Sequence, residues 1–462
     1  MTADCIILDS HIMTPKGVLE RNIVIDDEKI VDFTTDIPQC DKKINARGLV
    51  AIPGLIDTHV HYGVYSPIEE AAKTESRAAA LGGVTTMMRM LRLGHSYKTH
   101  LQAQLAASKS SHYVDYSIHA TIFDASQADE MKYITENGIT SFKLYMNLGG
   151  EVGHVYMDMD PGSSDLFESH VQLETDTVRK VLANAAHLGC PVLVHAEDYQ
   201  MCECGIKKAK ENKKDGLPAW SESRPPDSEA KSIKKVCEIA REYGTTVYFV
   251  HIGSAVALDA IEQERKKGTK VLVETCPHYL TLSYEKQSGY LAKVMPPIRS
   301  SSDKEKIWNA ISQKQINTIG TDHVANQLKL KVRDDVWLSL AGFPGIGTLL
   351  PILLSEGVNK NRINLTQLVE LTSTNAAKIF GMFPQKGALQ KNSDADITLI
   401  DLKKEQKVSA DFFGAFSDYI VYEGWNLKGW PQTTMVRGSL VTENMQVVGK
   451  PGYGKLVKRR LG

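Results

Sequence analysis

Six side chains give this sequence the means to do chemistry: His59 and His61, one residue apart, then Lys143, His195, His251 and Asp322. The four histidines and the aspartate stand at or near the ends of short β-rich runs, and in an extended strand His59 and His61 point to the same side. A single imidazole in such a place is more often packed or solvated than metal-bound. Four imidazoles and a carboxylate at the same ends of strands that a fold brings together make a ligand set for divalent metal. Lys143 lies inside ITSFKLYMN (139–147), where Ser141, Lys143, Tyr145 and Asn147 share one face and Phe142, Leu144 and Met146 the other. Taken alone, it reads as a solvated lysine on an edge strand. Among metal ligands a protonated lysine has no lone pair to offer, so it must stand apart or be chemically changed. Its amine and carbon dioxide form a carbamate, an anion whose two oxygens can bridge two metals about 3.5–4 Å apart.

Elements that bring these residues together recur along the chain. Eight β-rich runs, 49–61, 83–90, 115–123, 139–147, 191–198, 245–253, 269–278 and 316–323, alternate with segments of helical periodicity. TDTVRKVLANAAHLG (175–189) and DSEAKSIKKVCEIAREYG (227–244) are such helices, with Asp227 expected as N-cap and Glu229 in the first turn. Eight βα units predict an α/β fold, a TIM (β/α)8 barrel whose site lies at the C-terminal ends of the strands. Residues 3–48 and about 385–448 are rich in alternating strands and turns and are expected to fold together as one small β domain. The expected division is 1–50 and 385–448 for the β domain, 51–384 for the barrel and 449–462 for a tail. That tail, GKPGYGKLVKRRLG, reads as loosely ordered and solvated, or as an arm to a neighbouring subunit.

Composition excludes several classes of partner. The 54 basic and 55 acidic residues leave a net charge of −1, so neither nucleic acid nor an anionic membrane surface is expected. Seven scattered cysteines suit reduced thiols, and the Cys202-Glu203-Cys204 spacing is not that of a zinc ribbon. No apolar run approaches the roughly 18 residues of a membrane span, and no signal-peptide pattern opens the sequence. A cytoplasmic protein with a small neutral or weakly charged substrate is the expectation.

PGLIDTHVH (53–61), SFKLYM (141–146), LVHAED (193–198), VETCPHYL (273–280), Pro296-Pro297-Ile298-Arg299, GTDH (320–323) and ELTSTNAAKIFG (370–381) together resemble the amidohydrolase superfamily in its cyclic-amidase branch. ELTSTNAAKIFG with the glycine-rich basic tail is most similar to hydantoinases and dihydropyrimidinases. The resemblance implies a barrel with a β-sandwich domain and two divalent metal ions, usually zinc. His59, His61 and Asp322 would hold the first metal and His195 and His251 the second, with Lys143 as a bridging N6-carboxylysine. It further implies a bridging hydroxide that attacks the ring carbonyl of a small cyclic amide or ureide, Asp322 as the base, and an N-carbamoyl amino acid as product. Substrate contacts would come from Cys276, from Met295 and Pro296, and from His323, and the chain would form a homodimer or homotetramer.

Two departures from the family pattern matter. Dihydroorotases carry an arginine two residues after the paired histidines, where this chain has Gly63, which favours hydantoinase, with allantoinase next, over dihydroorotase. A non-catalytic scaffold related to dihydropyrimidinases would have lost metal ligands, and here every ligand position is filled. The second departure is Leu148, five residues after Lys143, where relatives carry a tyrosine that stabilises the oxyanion. The stretch 149–167 reads as a loop over the barrel mouth, from which Tyr156 or His154 is expected to supply the donor.

Overall fold

Seven strands, Leu55–His61, Val84–Leu91, Asp115–Thr121, Phe142–Tyr145, Val192–His195, Val247–Phe249 and Val271–Thr275, pair in chain order, all parallel, in the computed structural model of the protein. The eighth position is split. Thr318–Ile319 pairs with the seventh strand, while His323–Val324 pairs with the first and closes the barrel. The structure describes residues 3–14, 17–287 and 289–461; residues 1, 2, 15, 16, 288 and 462, which fall within the expected flank, barrel and tail spans, lie outside the described residues. The run 316–323 thus forms a strand only at its two ends. Gly320 sits in the break, where a Cβ would come within 2.7 Å of the Glu274 and Thr58 side chains. Asp322 follows at φ +50°, a left-handed conformation that aspartate tolerates better than most residues.

The expected single strand 49–61 is also two elements. Val50–Pro53 pairs with Ala3–Thr14 and with Ile397–Lys407, whereas Leu55–His61 enters the barrel. The separation falls at Gly54, where any Cβ would strike the Thr85 side chain at 2.2 Å. Around the barrel, Thr175–His187 and Pro226–Tyr243 are helices as expected, and Gly244 ends the second at φ +72°. Asp227 is not the N-cap: Pro226 occupies the first helical position, which needs no N–H, so Asp227 falls inside the first turn. The strand faces sort as period two requires. Phe142, Leu144 and Met146 join the core, while Tyr145 and Asn147 line a cavity at the mouth.

Both flanks contribute to one nine-stranded sheet. Ile397–Lys407 lies between Val50–Pro53 and Asn426–Val436, and Ala3–Thr14 carries Gly17–Asp26 on one side. Its core includes Ile7, Ile12, Ile23, Ile25, Ile397 and Leu399.

The tail is anchored rather than loose, with Gly454, Val457 and Arg459 buried while its lysines stay exposed. Its backbone pairs with the third barrel strand, Tyr116 N–H donating to the Lys455 carbonyl and Val457 N–H to the Tyr116 carbonyl. Arg459 is buried, donating to Ser141 Oγ at 2.8 Å and to the Ile118 carbonyl. The helix Asn375–Ile379 and Phe380, from the ELTSTNAAKIFG stretch, fill the barrel floor against Ile56, Met88, Leu193 and Tyr248. Val457 belongs to that same cluster, so burial, not basic charge, decides where the tail goes.

Candidate metal centre and active site

At the C-terminal end of the barrel His59, His61 and Asp322 converge. His59 Nε2 lies 3.2 Å from His61 Nε2, and Asp322 Oδ1 lies 3.2 and 3.3 Å from those two nitrogens. All three residues are buried. Glu274 fixes the tautomer of His59: its Oε1 is 2.8 Å from His59 Nδ1, so that nitrogen carries the proton and Nε2 presents its lone pair. Burial first, then the charge of Lys143 and nearby imidazoles, holds His59 well below the usual histidine range; burial and Arg92 do the same for His61. Glu274 turns the His59 Nε2 lone pair inward, and His61 Nε2 and an Asp322 carboxylate oxygen lie within 3.3 Å of it or of each other. The donor set therefore fits a divalent metal.

A second group stands alongside. The His251 ring is 4.5 Å from the His195 ring and 5.4 Å from the His59 ring, and His251 sits at φ +46°. His195 Nε2 is 2.6 Å from Glu197 Oε2, and Glu197 is gripped by Arg224 at 2.9 and 2.7 Å. Lys143 is fully buried, and its Nζ has no hydrogen-bond partner among the described residues. Burial lowers its pKa to about 7. At that value the amine is readily deprotonated, and its Nζ lies over the face of the Tyr145 ring, 4.9 Å from the centroid. Asp322 moves the other way, raised to about 8 chiefly by burial.

These groups open into a cavity of about 550 Å³. His59, His61, His195, His251 and Asp322 all line it, together with Tyr145, Arg92, Trp220 and Met295. Three of the expected substrate contacts do not. His323 points into the protein body, Nε2 2.8 Å from Glu75 and Nδ1 accepting from Gly345 N–H, on the short strand that begins after the left-handed backbone of Asp322. Cys276 is buried as the cap of the short helix Pro277–Thr281, and Pro296 gives its carbonyl to the Tyr279 hydroxyl at 2.6 Å. Met295 alone of the four is on the wall.

The stretch 149–167 covers the mouth, as part of a two-stranded hairpin, His154–Met157 with Phe167–His170. Tyr156 and His154 both line the cavity, but at its rim. Tyr156 packs on Tyr65 at 5.6 Å between ring centres, and the His154 side chain is 63 % exposed and 3.4 Å from Glu168. A deeper hydroxyl was overlooked: Tyr145 Oη is buried without a partner, its ring 6.0 Å from that of His195. Its signal was in the sequence, two residues past Lys143 on the same strand face. Glu197 was equally legible, two past His195. Glu274 and Arg224 reach the site only through tertiary contacts.

Gly63 is at φ +87°, and a Cβ there would come within 2.7 Å of Arg89 Nη2. The place of the dihydroorotase arginine is thus closed by another side chain, itself tied to Asp158 at 2.8 Å.

Comparison with known proteins agrees with this architecture. The model of the amidohydrolase family matches residues 50–441. The chain belongs to the amidohydrolase family. Among related amidohydrolases, the D-hydantoinase of Geobacillus stearothermophilus is 32% identical over 98% of this chain and 96% of its own. The L-hydantoinase of Paenarthrobacter aurescens is 29% identical over 98% of both. The crystal structure of dihydropyrimidinase from Brevibacillus agri NCHU1002 superposes with a TM-score of 0.88 at 30% identity, covering 98% of each chain. This amidohydrolase thus shares the barrel-plus-sandwich fold of those enzymes along its whole length.

Proposed function

We propose that the protein is a metal-dependent hydrolase that opens a cyclic amide or ureide at a ring C–N bond, as a hydantoinase or dihydropyrimidinase does, releasing an N-carbamoyl amino acid. The observation that carries this reading is the meeting of His59, His61 and Asp322 within hydrogen-bonding distance, buried at the C-terminal end of the barrel. Two divalent ions, zinc by the preference of an imidazole and carboxylate set, would be held by His59, His61 and Asp322 and by His195 and His251, with a carboxylated Lys143 between them. When bound, such a pair supplies Lewis acidity and a water made acidic enough to ionise near neutral pH.

The chain's own groups do the rest. Asp322 takes the proton of the attacking water and delivers it to the ring nitrogen as that nitrogen leaves. Tyr145, kept protonated by burial, donates its hydroxyl to the oxygen of the attacked carbonyl, the role that Leu148 cannot fill. Glu274 and Glu197 hold His59 and His195 in register. Trp220 donates to the Val294 carbonyl at 2.9 Å and so fixes the backbone that leads to Met295, the proposed contact for the ureide edge. Residues 51–384 would form the catalytic unit and the two flanks its supporting domain, in a dimer or tetramer. Seven free cysteines fit a reducing compartment, the cytoplasm, and none of the described helices is long and apolar enough to cross a membrane.

The test is ring opening measured on hydantoin, 5-substituted hydantoins, dihydrouracil, allantoin and dihydroorotate. Turnover of hydantoins or dihydrouracil above the others is expected. Preference for allantoin would make the protein an allantoinase, and inactivity on all five with metals bound would revive the non-catalytic scaffold.

A further inference from the structure

One cationic side chain on the cavity wall has no work in the reaction just described. Arg92 follows the second barrel strand directly and lines the cavity with His61, Tyr65 and Asp322. Its backbone is clamped: the Arg92 N–H donates to Asp158 Oδ2 at 2.5 Å, and Asp158 N–H donates to the Arg92 carbonyl at 2.9 Å. Asp158 spends its other oxygen on Arg89, at 2.8 Å. The Arg92 side chain receives nothing in return. Its Nε is buried without a hydrogen-bond partner, and among the described residues no carboxylate lies within ion-pair distance of its guanidinium.

The other cations of the wall differ. Arg224 is consumed by Glu197, and Lys207 and Lys210 are exposed to solvent. Arg92 alone combines an inward position with unspent charge, and that charge reaches Asp322 and Tyr145. A guanidinium is planar, permanently charged and matched to two carboxylate oxygens at once. Leaving it partly buried and unpaired is unfavourable unless a ligand completes it.

Resting on the hydrolase reading above, we propose that Arg92 anchors an anionic substituent of the substrate, so that the preferred ring is a cyclic amide or ureide bearing a carboxylate. The anchor differs in origin from the arginine of dihydroorotases, because it comes from the end of the second strand and Gly63 leaves no room at the usual place.

The experiment compares two rings that differ only in charge, hydantoin-5-acetate and its carboxamide. The wild-type enzyme should favour the carboxylate of the pair by about tenfold or more in kcat/KM. Arg92→Gln should shrink that ratio by about 10–100-fold, the range expected for a hydrogen-bonded ion, through KM for the acid. Arg92→Lys, which keeps charge but not the fork, should recover part of the ratio. A wild-type enzyme that opens neutral rings and is indifferent to the carboxylate, or an Arg92→Gln enzyme with the ratio unchanged, would overturn the anchor and leave the hydrolase reading standing. Opening of no ring at all would overturn both.

Discussion

Two buried polar clusters occupy the two ends of one barrel, and they are built on opposite plans. Below the barrel, Lys386 Nζ lies 2.8 Å from Asp115, 2.5 Å from Asp396 and 3.2 Å from Asp394, while Arg437 pairs with Asp115 and Lys29 with Asp394. Three carboxylates meet three cations there. At the mouth, four histidines held neutral, a lysine without a hydrogen-bond partner among the described residues and an aspartate pushed towards its neutral form face one another. Each cluster carries a dense set of titratable groups, but only the lower one is electrostatically complete. A closed ion network holds the two flanks to the barrel; an incomplete one needs something added, and that is how a binding centre differs from a structural one.

The difference can be broken experimentally. The largest effect is expected from Lys143→Ala: bound transition metal, read by elemental analysis, should fall from about two ions per chain to one or fewer, and turnover to background. Small added carboxylates should restore part of it, and full activity without them would mean the mouth cluster does not lack a bridging anion. Asp322→Asn should preserve the fold, by circular dichroism, while lowering kcat by about 10²–10⁴-fold, since an amide cannot accept the proton. If that variant turns over normally with metals bound, another base operates.

Lys386→Met attacks the other end. It leaves three buried carboxylates short of a partner and should cost about 3–5 kcal/mol of stability in denaturant unfolding, with unchanged metal content. Should metal content fall and stability hold, the division of labour between the ends is wrong. Tyr145→Phe should lower kcat by about 10²-fold, the low end of what loss of an oxyanion donor costs, with little change in KM. Tyr156→Phe is the control; if it shows the larger loss, the donor comes from the rim hairpin.

Much of this contrast was legible in the sequence, for a physical reason. Barrel strands have period two and converge at one end, so His59, His61, Lys143, His195 and His251 are placed by local pattern alone. Gathering of the flanks into one sheet also follows from their alternation. What pattern could not show was depth. Tyr156 and Tyr145 are both tyrosines near a mouth, and only packing sets one at the rim and the other beside His195. His323 and Asp322 are adjacent in sequence yet face opposite ways, and the eighth strand breaks at Gly320 because Glu274 needs the space a side chain would fill. Arg459 sits under the barrel although composition alone makes the tail look solvated.

The pairing of Val50–Pro53 with Ile397–Lys407 also bears on how the protein is made. Ala51 faces Leu399, so this strand meets a partner synthesised roughly 350 residues later. At about 5–20 residues per second the wait on the ribosome is roughly 20–70 s. Throughout it, an apolar β edge of Val50, Ala51 and Ile52 is presented to other nascent chains. The vulnerable moment in this protein's life is therefore its translation, and slowing elongation before residue 397 should lower the soluble yield without altering the finished enzyme.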